Sequence, residues 1–466
     1  MARLFGTDGA RGVANTELSC ELALQIGRAT AMALDMPHSL EGGGANAPGG
    51  VCGTRRPVFL LGQDTRASSP MLANALAAGL NSAGVDVILA GVVPTPAVAQ
   101  LIPQWGCQGG AMVSASHNPC EFNGIKLFNC LGSKLSDKME EQIEAIILDS
   151  TEVPPVILGG NVGRCMAGEA AVPDYLRHLR KTVPATLSSA LRAQGVARIA
   201  LDCSNGSASA TAPKLFTDLG FAYDLLSAAP DGVNINHNCG STHMEQLQEH
   251  VRAHSEVAAG FAFDGDADRL LAVDEHGNLV DGDKIIAICA KHMQLDAVVV
   301  TVMTNLGFHA FCDTHGIARE VTTVGDRYVL ERMLEKNLLL GGEQSGHIIF
   351  SEHASTGDGQ LSALQLLEVM RRSGRTLGEL AAEMEVFPQV MINVKVSKLG
   401  KLRCHSDPEI ALAVARAEAE LGAQGRVLVR VSGTEPLIRI MLEGRDAARI
   451  QVLAEEIAAV VRERLI

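Results

Sequence analysis

The chain contains no apolar run long enough to cross a bilayer, which excludes a helical membrane protein. Its N-terminus, Met1-Ala2-Arg3-Leu4-Phe5-Gly6-Thr7-Asp8-Gly9, carries no apolar segment of signal-peptide length, so the expected location is the cytoplasm. Eleven cysteines are scattered from Cys20 to Cys404 without one C-x-x-C pair, which argues against both a disulfide framework and a thiolate zinc site. Positive charge is also scarce. A net charge of −14 leaves no basic excess for nucleic acid or an anionic membrane surface, so neither partner is expected. An anionic small substrate remains open, provided that Arg and Lys cluster locally in a cleft. There is no G-x-x-x-x-G-K-[ST] sequence, so the glycine-rich stretch at 41–50 is no nucleotide P-loop; lacking periodicity, it reads as a surface loop.

What is present is a globular composition, 47% hydrophobic and 20% charged over 466 residues, enough chain for several cores. An apolar strand at 58–61, an amphipathic helix at 69–83 and a strand at 85–89 predict a sheet covered by helices. A related alternation restarts at 197–201, with a helix at 208–219 and a strand at 221–226. Another restarts at 270–273, with a helix near 285–292 and a strand at 297–302. After Val386 the texture changes to strand, helix, two strands and a closing helix, a smaller α+β domain. In that last helix Ile450, Leu453, Ile457 and Val461 form one stripe at helical spacing, which predicts a core-facing surface.

Four short motifs carry chemistry. Val113-Ser114-Ala115-Ser116-His117-Asn118-Pro119 follows an apolar run, at a strand end where α/β proteins bind ligands; alone such a turn is more often structural than catalytic. Asp264-Gly265-Asp266-Ala267-Asp268-Arg269, bracketed by apolar residues, sets three carboxylates at alternate positions on a tight turn, a ligand set for a hard divalent cation. Glu275 stands at the twelfth position of an EF-hand count, but Arg269 stands at the sixth, where glycine is required; with only three protein oxygens offered, Mg²⁺ is expected ahead of Ca²⁺. Gly341-Gly342-Glu343-Gln344-Ser345-Gly346-His347 offers donors and acceptors suited to sugar hydroxyls. Arg430-Val431-Ser432-Gly433-Thr434-Glu435-Pro436-Leu437-Ile438-Arg439 can surround a phosphate with amides, hydroxyls and two guanidinium groups, although a hairpin with solvated arginines fits it as well.

In this order, from Phe5-Gly6-Thr7-Asp8-Gly9-Ala10-Arg11-Gly12 to Arg439, the motifs resemble the α-D-phosphohexomutase family over the whole chain. The resemblance implies an α/β fold: three similar mixed α/β domains plus a smaller C-terminal α+β domain around a central active-site cleft, each giving one loop. The expected bounds are 1–168, 169–276, 277–385 and 386–466. It implies that Ser116 carries the transferable phosphoryl group and that Asp264, Asp266 and Asp268 hold one Mg²⁺ against it. Arg269, Glu343 and Ser345 would bind the sugar, and Arg430, Ser432, Gly433, Thr434 and Arg439 the non-reacting phosphate. Arg11, Lys126 and His347 match family positions near the transferring group. Thr304-Asn305-Leu306-Gly307-Phe308 and Val324-Gly325-Asp326-Arg327-Tyr328 resemble the members that act on glucosamine phosphates. Two departures stand out, the apparent insertion at 41–50 and Gln63 where a basic residue is usual.

The implied reaction interconverts hexosamine 6- and 1-phosphates through phospho-Ser116, with a sugar 1,6-bisphosphate as intermediate and primer. It would supply amino-sugar precursors for the cell wall, and a homodimer is implied. Desolvation would lower the pKa of Lys126 and fit it for general-base work, with His347 the second candidate for proton transfer and Arg11 a fixed cation. The rivals are the same chemistry on glucose or mannose phosphates and a non-catalytic sugar-phosphate sensor. A hinge is expected near 384–386.

Overall fold

The computed structural model describes residues 4–6, 8–34, 56–149, 157–431 and 437–465. Thr7, the stretch at 41–50, and Ser432, Gly433 and Thr434 of the phosphate motif lie outside the described residues.

The first sheet runs in the order Phe5–Gly6, Gly9–Val13, Phe122–Asn129, Gly109–Val113, Val58–Gln63, Asp86–Val92, Cys165–Ala167. Phe59, Leu60 and Leu61, and Ala111, Met112 and Val113, are buried without alternation, as befits strands covered on both faces. The helices Ser69–Ser82 and Thr95–Trp105 make the crossovers that let Val58–Gln63 pair in parallel with both neighbours. Phe122–Asn129 then returns antiparallel, which sets Lys126 beside Met112 and brings its side chain to the end of the sheet that carries Ser116.

The helix Ser69–Ser82 packs on Cys20–Ala33 where two glycines meet. A Cβ on Gly79 would lie 2.2 Å from the Leu24 carbonyl oxygen, and one on Gly27 would lie 2.4 Å from that of Leu76. The backbones touch there, so neither position admits a side chain without parting the helices.

The second sheet, Leu279–Val280, Leu270–Asp274, Val257–Phe263, Arg198–Asp202, Tyr223–Leu226, corrects one expectation. The strand beginning at Leu270 does not open a third α/β unit. It pairs antiparallel with Val257–Phe263, Phe263 facing Leu270, because the acidic turn at 264–269 is too short for a crossover and can only close a hairpin. The third sheet is Ala318–Thr322, Ala297–Thr301, Leu340–Gly342, Ile348–Phe350.

A three-stranded antiparallel sheet, Gln389–Lys395, Leu437–Gly444, Gly425–Val431, packs with the helices Pro408–Leu421 and Ala447–Leu465. Ile450, Leu453, Ile457 and Val461 are buried in its core, as their spacing predicts. By compactness the chain separates into two units, Met1–Met303 with Ile317–Glu383, and Thr304–Gly316 with Met384–Ile466. The helix Leu306–His315 falls in the second unit for local reasons. Asn305 bonds both the amide and the carbonyl of Phe387 at 3.0 Å, and the Leu306 amide donates to Glu443 at 2.8 Å.

Gly79→Ala should destabilise the first unit by about 1–3 kcal/mol through forced separation of the helices. Chemical denaturation followed by circular dichroism checks this, and an unchanged midpoint would contradict the close approach.

Candidate active site

Ser116 sits in the loop after Gly109–Val113, with its backbone in the left-handed region at φ 52°. A serine held there costs of order 1 kcal/mol, so the loop must be clamped. The clamp is Arg66, whose side chain is wholly buried. It donates to the carbonyl oxygens of Ser116 at 2.9 Å, Asn118 at 2.8 Å and Phe122 at 3.1 Å, and also to that of Pro119. Asp64 neutralises the guanidinium at 2.8 Å and takes the Ser114 hydroxyl at 2.6 Å. The Ser114 oxygen in turn accepts the Ser116 amide at 3.0 Å.

Against this loop lies the acidic hairpin turn. Asp264, Asp266 and Asp268 are buried, each with a carboxylate oxygen within 4.8 Å of the others. The Ser116 hydroxyl donates to Asp264 Oδ2 at 2.6 Å. Asp266 Oδ2 accepts from Lys126 Nζ at 2.7 Å and from the Thr95 hydroxyl at 2.5 Å, and the Thr95 amide donates to the Asp266 carbonyl at 2.9 Å. Asp266 Oδ1 and Asp268 Oδ1 are buried without a hydrogen-bond partner. Buried carboxylate oxygens without donors are costly unless a cation takes them. With Asp264 and the Ser116 oxygen they make an all-oxygen donor set, which fits a hard divalent ion.

The electrostatics agree. Burial, with Asp268 and Asp266 alongside, pushes the Asp264 carboxyl well above its ordinary range, which a dication would reverse. Burial also acts to raise Asp268, but Lys126, His347 and Arg269 outweigh it and hold that group well below the usual carboxylate range. Asp8, near Lys126, Lys134 and Arg11, is likewise held low against burial.

Lys126 departs from expectation. Burial alone would lower its pKa, but Asp266, Asp8 at 3.3 Å and Asp268 at 3.5 Å outweigh that and raise it above the ordinary lysine value. These three carboxylates favour the ammonium form, against the lowering expected from desolvation alone. Arg11, on Gly9–Val13, pairs with Asp8 and donates to Asn118 Oδ1 at 3.3 Å, so two cations converge beside Ser116.

His347 is almost fully buried. Its Nε2 accepts the Gly357 amide at 2.9 Å and its Nδ1 faces Asp268 Oδ2 at 3.6 Å, an arrangement that orients Asp268. Arg269 reaches the other side of the serine loop, its Nη1 3.4 Å from His117 Nδ1. Burial, with Arg269 and Arg11, pushes the His117 imidazole down to about 4, so it is neutral near pH 7.

Four segments match domains of one protein family. They are the phosphoglucomutase/phosphomannomutase alpha/beta/alpha domains I over residues 2–154, II over 173–277 and III over 281–387, and the C-terminal domain over 391–460. The chain belongs to the phosphoglucomutase/phosphomannomutase family. It is 47% identical over 470 residues to the phosphoglucosamine mutase of Clostridium perfringens, and 47% identical over 473 residues to that of Caldicellulosiruptor saccharolyticus, with all of each chain covered. Among solved structures it resembles a family protein from Burkholderia thailandensis at TM-score 0.77 and 22% identity, covering 100% of this chain and 99% of that one. It also resembles the N-acetylphosphoglucosamine mutase of Aspergillus fumigatus at TM-score 0.62 and 19% identity, covering 83% and 94%.

In this phosphohexomutase Glu343 and Ser345 lie on the turn between Leu340–Gly342 and Ile348–Phe350. Glu343 accepts the Gly325 amide at 3.1 Å, and Ser345 is exposed. The same turn touches the acidic hairpin, the Leu270 amide donating to the Gly346 carbonyl at 3.0 Å. Arg430 and Arg439, in the second unit, stand directly opposite each other on paired strands.

Sequence reading passed over Asp8, Arg66, Thr95, Lys134, Asn236 and Asp326. Lys134 pairs with both Asp8 and Asp326, tying the first α/β unit to the helix Asp326–Lys336. Asp8, Arg66 and Asp326 fall within the family-like stretches Phe5–Gly12, Gly62–Arg66 and Val324–Tyr328, where no role was read for them; Thr95, Lys134 and Asn236 are single polar residues that reach the site through the fold.

Thr95→Val should leave Asp266 Oδ2 to Lys126 alone and weaken divalent-ion affinity about 10-fold, as loss of a group that orients a ligand does. Metal titration by calorimetry reads it directly, and unchanged affinity would show that Thr95 does not set the carboxylate.

Proposed function

We propose that this chain is a phosphoglucosamine mutase, interconverting glucosamine 6-phosphate and glucosamine 1-phosphate through phospho-Ser116 and glucosamine 1,6-bisphosphate. The observation that carries the reading is the Ser116 hydroxyl 2.6 Å from Asp264, in a turn where Asp266 Oδ1 and Asp268 Oδ1 lack donors. The relatives named phosphoglucosamine mutase, 47% identical over the full chain, favour the amino sugar over glucose or mannose phosphates. One related enzyme of this fold, from Aspergillus fumigatus, was solved with GlcNAc-6P and magnesium.

Asp264, Asp266 and Asp268 would hold Mg²⁺, which when bound neutralises charge on the phosphoryl oxygens. Lys126 and Arg11 supply fixed positive charge on the other side, and phosphoryl transfer draws most of its catalysis from such positioning. Because Lys126 is held protonated by its carboxylate neighbours, it serves as a cation. His347 keeps Asp268 in place. Arg269, Glu343 and Ser345 would bind sugar hydroxyls, and Arg430 and Arg439, with Ser432, Gly433 and Thr434, the phosphate not in transfer. The phosphoryl group passes from phospho-Ser116 to the free hydroxyl, the bisphosphate turns over, and its other phosphate returns to Ser116. The loops come from four domains, 1–168, 169–276, 277–385 and 386–466. A cytoplasmic homodimer, one Mg²⁺ per subunit, priming by a sugar 1,6-bisphosphate and supply of amino-sugar precursors for the cell wall complete the reading.

Ser116→Ala should abolish turnover while sugar-phosphate binding by calorimetry stays within about twofold, since only the nucleophile is removed. Retained mutase activity in that variant sinks the phosphoserine route. Comparison of kcat/KM for glucosamine, glucose and mannose 1-phosphates, with Mg²⁺ and a bisphosphate primer, should favour the amino sugar by roughly 100-fold or more. Equal turnover of glucose phosphate would keep the family and overturn the substrate. Chelation should remove activity, and Mg²⁺ should restore it.

A further inference from the structure

We propose that Asn236 is a positioning residue that holds the phosphoryl-carrying serine by its carbonyl group, and so keeps it registered on the acidic turn in both states of the catalytic cycle. Asn236 Nδ2 donates to the Ser116 carbonyl at 2.9 Å and to that of Asn118 at 3.1 Å, the same two oxygens that Arg66 binds. Arg66 belongs to the same α/β unit as Ser116. Asn236 reaches in from the unit that carries Asp264, Asp266 and Asp268.

Its own backbone is anchored. The Asn236 amide donates to the Ser204 carbonyl at 2.9 Å, its φ is 58°, and the residue is 6% exposed. Gly265 closes the junction. A Cβ there would lie 2.5 Å from the Ser116 carbonyl oxygen and 2.9 Å from Asn236 Nδ2, so the acidic turn packs directly on this bonded pair.

The inference rests on the phosphoserine reading and concerns what holds the loop as the load changes. While Ser116 is free, its hydroxyl proton donates to Asp264. When the P–O bond to Ser116 Oγ forms and the bond to the sugar oxygen breaks, the serine proton passes to the released sugar hydroxyl. No proton is then left for Asp264, and that tie is lost. The bonds to the Ser116 carbonyl involve no atom that reacts. Asn236 is thus a donor from the metal-bearing unit that stays engaged throughout, and it opposes relaxation of the left-handed serine away from the carboxylates.

The test uses the full-length protein, dephosphorylated and then mixed with glucose 1,6-bisphosphate and Mg²⁺, with phospho-Ser116 followed by intact-protein mass spectrometry. Asn236→Ala should load roughly 10-fold more slowly than the wild type. Asn236→Asp, equal in size but turning an acceptor toward two carbonyl oxygens, should be slower still, roughly 100-fold. In steady state kcat should fall in step while KM for the sugar phosphate stays within about twofold. A space-filling role predicts the opposite order, Asp near wild type and Ala worst, and that result overturns the proposal. Should Asn236→Asp not fold, Gly265→Ala pushes on the same junction and is expected to slow loading with KM retained; wild-type loading there overturns the proposal too. A wild type that never forms phospho-Ser116 removes the phosphoserine reading and this inference together, whereas normal loading in wild type and variants removes the inference alone.

Discussion

Three carboxylates buried within 4.8 Å of one another on a hairpin turn are the constraint around which the first unit is organised. Repulsion and lost hydration both oppose such a cluster, so it persists only where its edges are held by other elements. Thr95, at the start of the helix Thr95–Trp105, takes Asp266, and Ser116 meets Asp264. The Leu270 amide bonds Gly346 on the Glu343–His347 turn, and the Gly359 amide bonds the Ala267 carbonyl at 3.1 Å. The acidic turn is therefore the common wall of three α/β units. Loops that are far apart in sequence meet there because the cluster needs partners from each.

Charge alternation extends outward from that wall. Lys126 faces Asp266, Asp268 and Asp8; Asp8 also pairs with Arg11 and Lys134; Lys134 pairs with Asp326. Every ion in the series has an opposite neighbour, which is what makes burial tolerable. It also sets the chemistry. A lysine alone in an apolar pocket has its pKa lowered, whereas carboxylates around Lys126 raise it and favour the ammonium form. Preorganised charge of this kind suits phosphoryl transfer, where fixed positive groups do more than a proton acceptor does.

Much of the candidate site was legible because its chemistry is written in contiguous motifs. Ser116, the three aspartates and the Glu343 to His347 turn could each be found as a short loop between apolar runs, and a loop at a strand end is where α/β proteins work. Arg66 and Asn236 were not legible. Arg66 stands in the family-like stretch Gly62–Arg66 and Asn236 outside any motif, and what matters in each is a reach to backbone carbonyls that only folding brings near. The alternation of apolar runs opened a new unit at Leu270, although the expected bound at 276 kept that strand in the second domain, because apolar periodicity reports a strand but not its partner.

The sequence by itself determined the family-specific loops, the alternation of strands and helices, the core stripe of the last helix and the residue types available for phosphoryl transfer. These depend on local spacing and on side-chain identity, which the linear order preserves. Only the tertiary structure decided that carboxylates surround Lys126, that His347 faces Asp268, that a left-handed serine is gripped from two α/β units, and that Leu270–Asp274 pairs antiparallel with Val257–Phe263. Those properties arise from distances between residues remote in the chain, where Coulomb energy and hydrogen bonding vary over a few ångströms that no linear pattern encodes.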